Sequence, residues 1–173
     1  RRMVGKVLSH YKILRLLGQG GMGEVYLAED AKLARQVALK VLPPEFSRDP
    51  ERVARFGREA TTLAMLQHTN VATIYGFEQD GEQPFLVMEL VEGQTLRAWH
   101  KGSQRSVKEI LKVMVAAGRG LAAAHEAGLI HRDVKPDNVM VGANGDVVLT
   151  DWGIARDLEA NLEEPALGLE PAS

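Results

Sequence analysis

The segment from Leu129 to Met140 reads Leu-Ile-His-Arg-Asp-Val-Lys-Pro-Asp-Asn-Val-Met, and Asp151-Trp152-Gly153 follows after a short hairpin-like stretch. No other part of the chain restricts the fold as strongly. Phosphoryl transfer needs an Asp to orient a hydroxyl, a Lys to neutralise the moving phosphate, and an Asn with a second Asp to hold Mg²⁺. Asp133, Lys135, Asn138 and Asp151 stand at that spacing. A polar surface turn between two strands is the competing reading of the same residues.

Composition bounds the alternatives. At 173 residues the chain has the length of one domain. It is 45% hydrophobic and 25% charged, as a globular core requires. A formal net charge of -2 points to neither nucleic acid nor an anionic membrane as partner. The chain contains no Cys, which removes disulfides and thiolate sites and fits a reducing cytoplasm. No apolar run reaches the ~18 residues of a membrane span, and no signal-like core follows Arg1-Arg2. The expected location is cytoplasmic.

Periodicity organises the rest. Tyr11 to Gly18 and Glu24 to Glu29 read as strands around the turn Gly18-Gln-Gly-Gly-Met-Gly23. Arg35 to Leu42 reads as a third strand, stopped by Pro43-Pro44. Asp49-Pro50-Glu51 is a helix start, and Val53, Phe56, Ala60, Leu63 and Leu66 keep helical spacing behind it. Val71 to Phe77 and Phe85 to Val91 form a further strand pair around Asp80-Gly81. Ser106-Val-Lys-Glu109 is a capping box opening a long helix with the stripe Ile110, Met114, Ala117, Leu121 and Ala124. Gly128 is its candidate terminator. Gly118 and Gly120 inside it are either tolerated defects, costing about 1 kcal/mol each, or sites of close helix approach. Asn144-Gly145 signals a hairpin between Val139–Val141 and Val147–Thr150.

The glycine turn fits G-x-G-x-x-G-x-V from Gly18 to Val25. Dinucleotide-binding turns share the first six positions. Here a strand and not a helix follows, which favours a phosphate-covering hairpin over a dinucleotide turn. Glycines let the backbone approach phosphates and present N–H donors without Cβ obstruction. Val37-Ala38-Leu39-Lys40 then places a cation inside an apolar strand. An edge-strand Lys facing water would look the same in isolation.

Together these residues resemble a eukaryotic-type (bacterial-like) serine/threonine protein kinase catalytic domain, over about residues 11 to 156. Lys135, two residues after Asp133, resembles the serine/threonine branch. The resemblance implies an α+β, protein-kinase-like fold: a five-stranded N-lobe with one helix, and an incomplete helical C-lobe. Residues 1–10 would be an extension, 11–91 the N-lobe and hinge, 92–156 a partial C-lobe, and 157–173 a loose acidic tail. It implies ATP and Mg²⁺ as cofactors. Leu17, Gly18, Gln19, Gly20, Gly21, Met22, Gly23, Glu24 and Val25 would cover the nucleotide. Lys40 would grip its phosphates and pair with Glu59. Met88 resembles the gatekeeper and Glu89 to Val91 the hinge, with Val25, Ala38 and Met140 on the adenine faces. Asp133 and Lys135 would be catalytic, and Asn138 and Asp151 the metal ligands. Arg132 resembles an arginine steadied by a phosphate on the segment beyond it. His131, Trp152, Leu63 and Ile74 resemble the apolar column linking the lobes, with Trp152 where Phe is usual.

The resemblance then stops. Ile154 to Ala172 contains no Ser, Thr or Tyr, and no Ala-Pro-Glu follows Asp151-Trp152-Gly153. The expectation is therefore a truncated protein kinase with weak or no turnover on a protein substrate of unknown identity. A nucleotide-binding remnant without catalysis is the alternative. A small-molecule kinase fits Lys135-Pro136 and Val37–Lys40 less well. The face of the 106–127 helix carrying Ile110, Met114, Ala117 and Leu121 would be uncovered, favouring self-association.

Overall fold

The computed structural model describes residues 3–20 and 23–150. Two sheets and three α-helices form around three apolar clusters. The larger sheet is antiparallel, with strands β1 (Val7–Leu8), β2 (Tyr11–Gly20), β3 (Gly23–Asp30), β4 (Arg35–Val41), β5 (Ile74–Asp80) and β6 (Gln83–Met88). Their order is β1-β2-β3-β4-β6-β5. The sheet thus has six strands where the sequence suggested five. The sixth lies inside residues 1–10, where Leu8 is 7% exposed and joins the core. The expected strand at Val71 begins only at Ile74, because Val71 leaves the sheet to bridge Leu149. The expected strand Phe85–Val91 runs from Gln83 to Met88.

Opposed residues of an antiparallel pair share a face. The register Val25↔Lys40, Leu27↔Ala38, Ala38↔Met88 and Lys40↔Leu86 therefore puts Val25, Ala38, Lys40 and Met88 on one side. Tyr26, Val37, Leu39, Phe85 and Val87 take the other side and bury against Leu8, Tyr11 and Ile13.

Helix α1 (Pro50–Met65) starts as the sequence dictates. Asp49 accepts hydrogen bonds from the Glu51 and Arg52 N–H groups, both at 3.1 Å, and Pro50 occupies the first turn. Phe56, Ala60 and Leu63 bury against Phe46, Ile74 and Leu86. After β7 (Gln94–Thr95) come α2 (Leu96–Gly102) and α3 (Val107–Glu126). In α3 the Ser106–Glu109 capping box is complete, and Gly128, at φ +77°, ends the helix. Strands β8 (Val139–Val141) and β9 (Val147–Leu149) form the hairpin around Gly145, at φ +84°, and pair with β7.

The buried face of α3 is Val113, Ala117, Gly120 and Ala124. The expected stripe is rotated: Ile110 and Leu121 are half-buried and Met114 is 54% exposed. The exposed apolar side chains of α3 are Val107, Leu111, Met114 and Val115. Gly120 is where another backbone comes close, a segment between the lobes and not a helix. A Cβ there would stand 2.6 Å from the Asn70 carbonyl oxygen. At Gly118 a Cβ would meet nothing.

Two expectations follow for stability. Gly118→Ala should raise it by about 1 kcal/mol through helix propensity. Gly120→Ala should lower it by about 1–3 kcal/mol by overpacking. Urea midpoints of the two variants should move in opposite directions. Burial and the Glu78 carboxylate push the Tyr11 phenol up to about 12, and burial and a hydrogen bond to Glu24 do the same for Tyr26. The folded values exceed the ordinary 10.0, so this stability is full below pH 10 and declines as pH rises toward 12. Unfolding midpoints across that range, with Tyr11→Phe losing part of the dependence, check the sign.

Candidate active site

The loop from His131 to Asn138 is held by its own side chains. Asn138 is 5% exposed, and its Nδ2 donates to the Asp133 carbonyl at 2.8 Å and to Asp133 Oδ2 at 3.1 Å. Turning the amide hydrogens toward Asp133 leaves Asn138 Oδ1 as the atom for a cation. Lys135 Nζ lies 3.5 Å from Asp133 Oδ2. Arg132, at φ +68°, takes a conformation that non-glycine residues rarely adopt. Such outliers cluster at functional sites.

His131 is 1% exposed and tied at both nitrogens. Nδ1 accepts the Asp133 N–H at 3.2 Å, and Nε2 lies 2.8 Å from the Thr150 carbonyl oxygen. An accepting Nδ1 requires the proton on Nε2, so the ring is the neutral Nε2–H tautomer. The Thr150 N–H donates to the Asn138 carbonyl at 2.9 Å. Both backbone groups of Thr150 are therefore spent on the loop, which brings the residue before Asp151 beside Asn138. Asp151 and Trp152 themselves lie outside the described residues. An Asn Oδ1 joined by an Asp is an all-oxygen donor set that suits Mg²⁺, which commonly uses one or two protein ligands plus phosphate and water.

Across the cleft, Val25, Ala38, Lys40 and Met88 line one sheet face, as the register requires. Glu24 points the other way, and its carboxylate accepts the Tyr26 hydroxyl. Gly21 and Met22 lie outside the described residues; Leu17 is 39% exposed and a Cβ on Gly18 would meet nothing. Gly23 is needed for another reason: at φ +116°, a Cβ would overlap the Val41 carbonyl of the neighbouring strand. Glu59 is half-buried on α1, but ion pairs between described residues join Asp30 to His10 and Arg35, Arg97 to Asp137, Arg105 to Glu109 and Lys135 to Asp133. The expected Lys40–Glu59 pair is not among them. Apolar packing of Phe56, Ala60 and Leu63 docks α1 without it.

The connection after Met88 is fixed at its first residue. Glu89 N–H donates to the Thr73 carbonyl at 2.8 Å, and its carboxylate accepts the Thr73 N–H at 2.9 Å. The Glu89 carbonyl and the Leu90–Val91 backbone carry no such bond among the described residues. A cavity of about 510 Å³ adjoins this connection, between Glu89–Gly93 and Gly142–Asp146. Met140, half-buried in β8, faces Thr95 and Val148 across the small sheet. Of the expected column, Leu63 and Ile74 share one cluster, His131 is not part of it, and Trp152 lies outside the described residues. Sequence reading missed Asn70, Thr150 and the Arg97–Asp137 pair, since none belongs to a local pattern. The pair is bidentate, at 2.7 and 3.1 Å, and its hydrogen bonds hold the Asp137 carboxyl below and the Arg97 guanidinium above their usual ranges.

Residues 11–167 match the protein kinase domain family. Over 164 residues the chain is 46% identical to serine/threonine-protein kinase PknA of Mycobacterium tuberculosis, covering 91% of this chain and 38% of that protein. It is 39% identical over 160 residues to serine/threonine-protein kinase PrkC of Bacillus subtilis, covering 91% of this chain and 25% of that protein. The crystal structure of the Mycobacterium tuberculosis PknI kinase domain superposes with a TM-score of 0.75 at 32% identity, covering 91% of this chain and 68% of that one. The chain thus spans well under half of these full-length relatives and about two thirds of the solved domain. With the family match spanning residues 11–167, this chain belongs to the protein kinase domain family.

Proposed function

We propose that the chain carries the nucleotide site and phosphoryl-transfer residues of a serine/threonine protein kinase. The supporting observation is Asp133, held by Asn138 with Lys135 at 3.5 Å. Asp133 orients a Ser or Thr hydroxyl and accepts its proton as the new oxygen–phosphorus bond forms and the bond to ADP breaks. Lys135 offsets charge on the transferring group, and Lys40 holds the inner phosphates. Mg²⁺, when held by Asn138 and Asp151, supplies charge neutralisation between the phosphates. The backbone of Glu89 to Val91 meets the adenine edge, with Val25, Ala38 and Met140 against its faces. The glycine hairpin from Leu17 to Val25 closes over the phosphates.

Among the described residues no ion pair joins Lys40 to Glu59, which favours a second reading, a nucleotide-binding module with little turnover. Transfer of labelled γ-phosphate to a generic protein substrate separates the two. Under the first reading Asp133→Asn lowers transfer by about a hundredfold to ten-thousandfold while ATP binding persists. No transfer in the unaltered chain, with ATP still bound, leaves the second reading standing.

The metal assignment has its own check. Asp151→Asn and Asn138→Ala should weaken Mg²⁺-dependent ATP binding far more than metal-free binding. Calorimetric titrations with and without Mg²⁺ measure this, and equal losses in both would remove the assignment.

A further inference from the structure

Where β6 ends, the ladder it forms with β5 breaks its own rule. Ile74 pairs with Met88, so Thr73 and Glu89 are the next opposed residues. In a hydrogen-bonded antiparallel pair, two such residues exchange both N–H···O=C bonds. Here only one of the two is made by the backbone: the Glu89 N–H donates to the Thr73 carbonyl at 2.8 Å. The Thr73 N–H turns instead to the Glu89 carboxylate, donating to Oε2 at 2.9 Å. The side chain has taken the bond that the ladder would otherwise draw from the Glu89 carbonyl.

Two consequences follow for the carbonyl. It is released, and no described residue donates a hydrogen bond to it or bonds the Leu90 and Val91 backbone. It is also fixed in place. The bonds to Thr73 hold the N, Cα and side chain of Glu89, and three fixed substituents of a tetrahedral carbon fix the fourth. Thr73 is itself anchored, since the Ala72 N–H beside it donates to the Leu149 carbonyl at 2.9 Å. The connection is pinned at its other end too. Gly93, at φ +147°, passes so close to β8 that a Cβ would stand 2.5 Å from the Val141 carbonyl oxygen. Half-buried backbone groups between fixed ends need a partner from outside the chain.

We propose that the Glu89 carboxylate is a positioning group which frees its own carbonyl for the nucleotide and thereby selects a 6-amino over a 6-oxo purine. This rests on the nucleotide-site reading above and adds to it what chooses the base. A carbonyl can only accept. The amino group of adenine donates to it, whereas the 6-oxo group of guanine or hypoxanthine sets a second acceptor against it. A site with fixed hydrogen-bonding groups rejects the analogue that leaves them unpaired. Without the carboxylate, the Thr73 N–H has the carbonyl as its nearest acceptor, the ladder closes by one more pair, and the selecting group is withdrawn from the site.

Calorimetric titration with Mg²⁺-ATP and Mg²⁺-inosine triphosphate tests it, with no turnover needed. The two ligands differ only in the 6-substituent and the proton on N1. The unaltered chain should prefer ATP. Glu89→Ala should lower the ATP-to-inosine ratio by about tenfold, the worth of one well-placed hydrogen bond. Two further variants separate reach from charge. Glu89→Gln loses the charge but keeps an oxygen at the same distance, and should retain the ratio. Glu89→Asp keeps the charge but is one methylene short, and should lose the ratio as Ala does. Cooperative thermal unfolding certifies each fold, and if the Ala variant does not fold, the Gln and Asp variants decide between them. A merely structural role for Glu89 would weaken both nucleotides alike. A ratio unmoved by Ala and Asp, or lost in Gln as in Ala, would therefore overturn the proposal while the nucleotide site stands. An unaltered chain that binds neither nucleotide would remove the nucleotide-site reading and the proposal with it.

Discussion

The backbone of Asn70 to Ala72 joins the two halves of the molecule. The Leu149 N–H donates to the Asn70 carbonyl and the Ala72 N–H to the Leu149 carbonyl, both at 2.9 Å, while Asn70 Nδ2 reaches the Val147 carbonyl at 2.8 Å. A stretch with no sheet of its own is thereby tied to β9 at three backbone groups. Gly120 makes this possible, since any side chain there would displace Asn70. Buried backbone groups must find partners. These find them across the lobes, so the distance between the sheet face bearing Lys40 and the loop bearing Asp133 is set by hydrogen bonds and does not depend on apolar contact alone.

The same device recurs one residue farther on. Thr150 follows Leu149 and gives its N–H to Asn138 and its carbonyl to His131. The segment that crosses from Asn70 to β9 thus continues directly into Thr150, which is bonded to Asn138. His131 acts here as a connector between Asp133 and Thr150, with both ring nitrogens in contact with backbone groups.

Helix α1 is held differently. Phe56 meets Phe46 and Phe77 edge-on or tilted, each with ring centroids 5.1 Å apart, and Ala60 and Leu63 complete the contact. Apolar contact is non-directional. It secures the helix against the sheet without fixing Glu59 on Lys40. A salt bridge between partly buried side chains adds a directional term but carries a desolvation cost. Here apolar packing secures the helix, and no ion pair joins Lys40 to Glu59 among the described residues.

What could be read from residues alone was local. The Asp49-Pro50 start, the Ser106–Glu109 capping box, the Asn144-Gly145 hairpin and the motif spacing from Asp133 to Asn138 each depend on neighbours within a few positions. The family resemblance carried the fold class in the same way. Other features depend on distant partners. Leu8 becomes a strand residue because the sheet edge beside Tyr11 is available to it. On α3, Val113 and Met114 are consecutive and both apolar but lie about 100° apart around the helix, so the position of β8 and β9 decides which is buried. Arg97 and Asp137 are 40 residues apart and meet because α2 packs beside the loop. The sequence determined which groups the chain brings to the candidate site, through short-range spacing and turn chemistry. Only the tertiary structure decided which of them touch, because hydrogen bonds and packing between residues far apart in the chain leave no periodic mark on it.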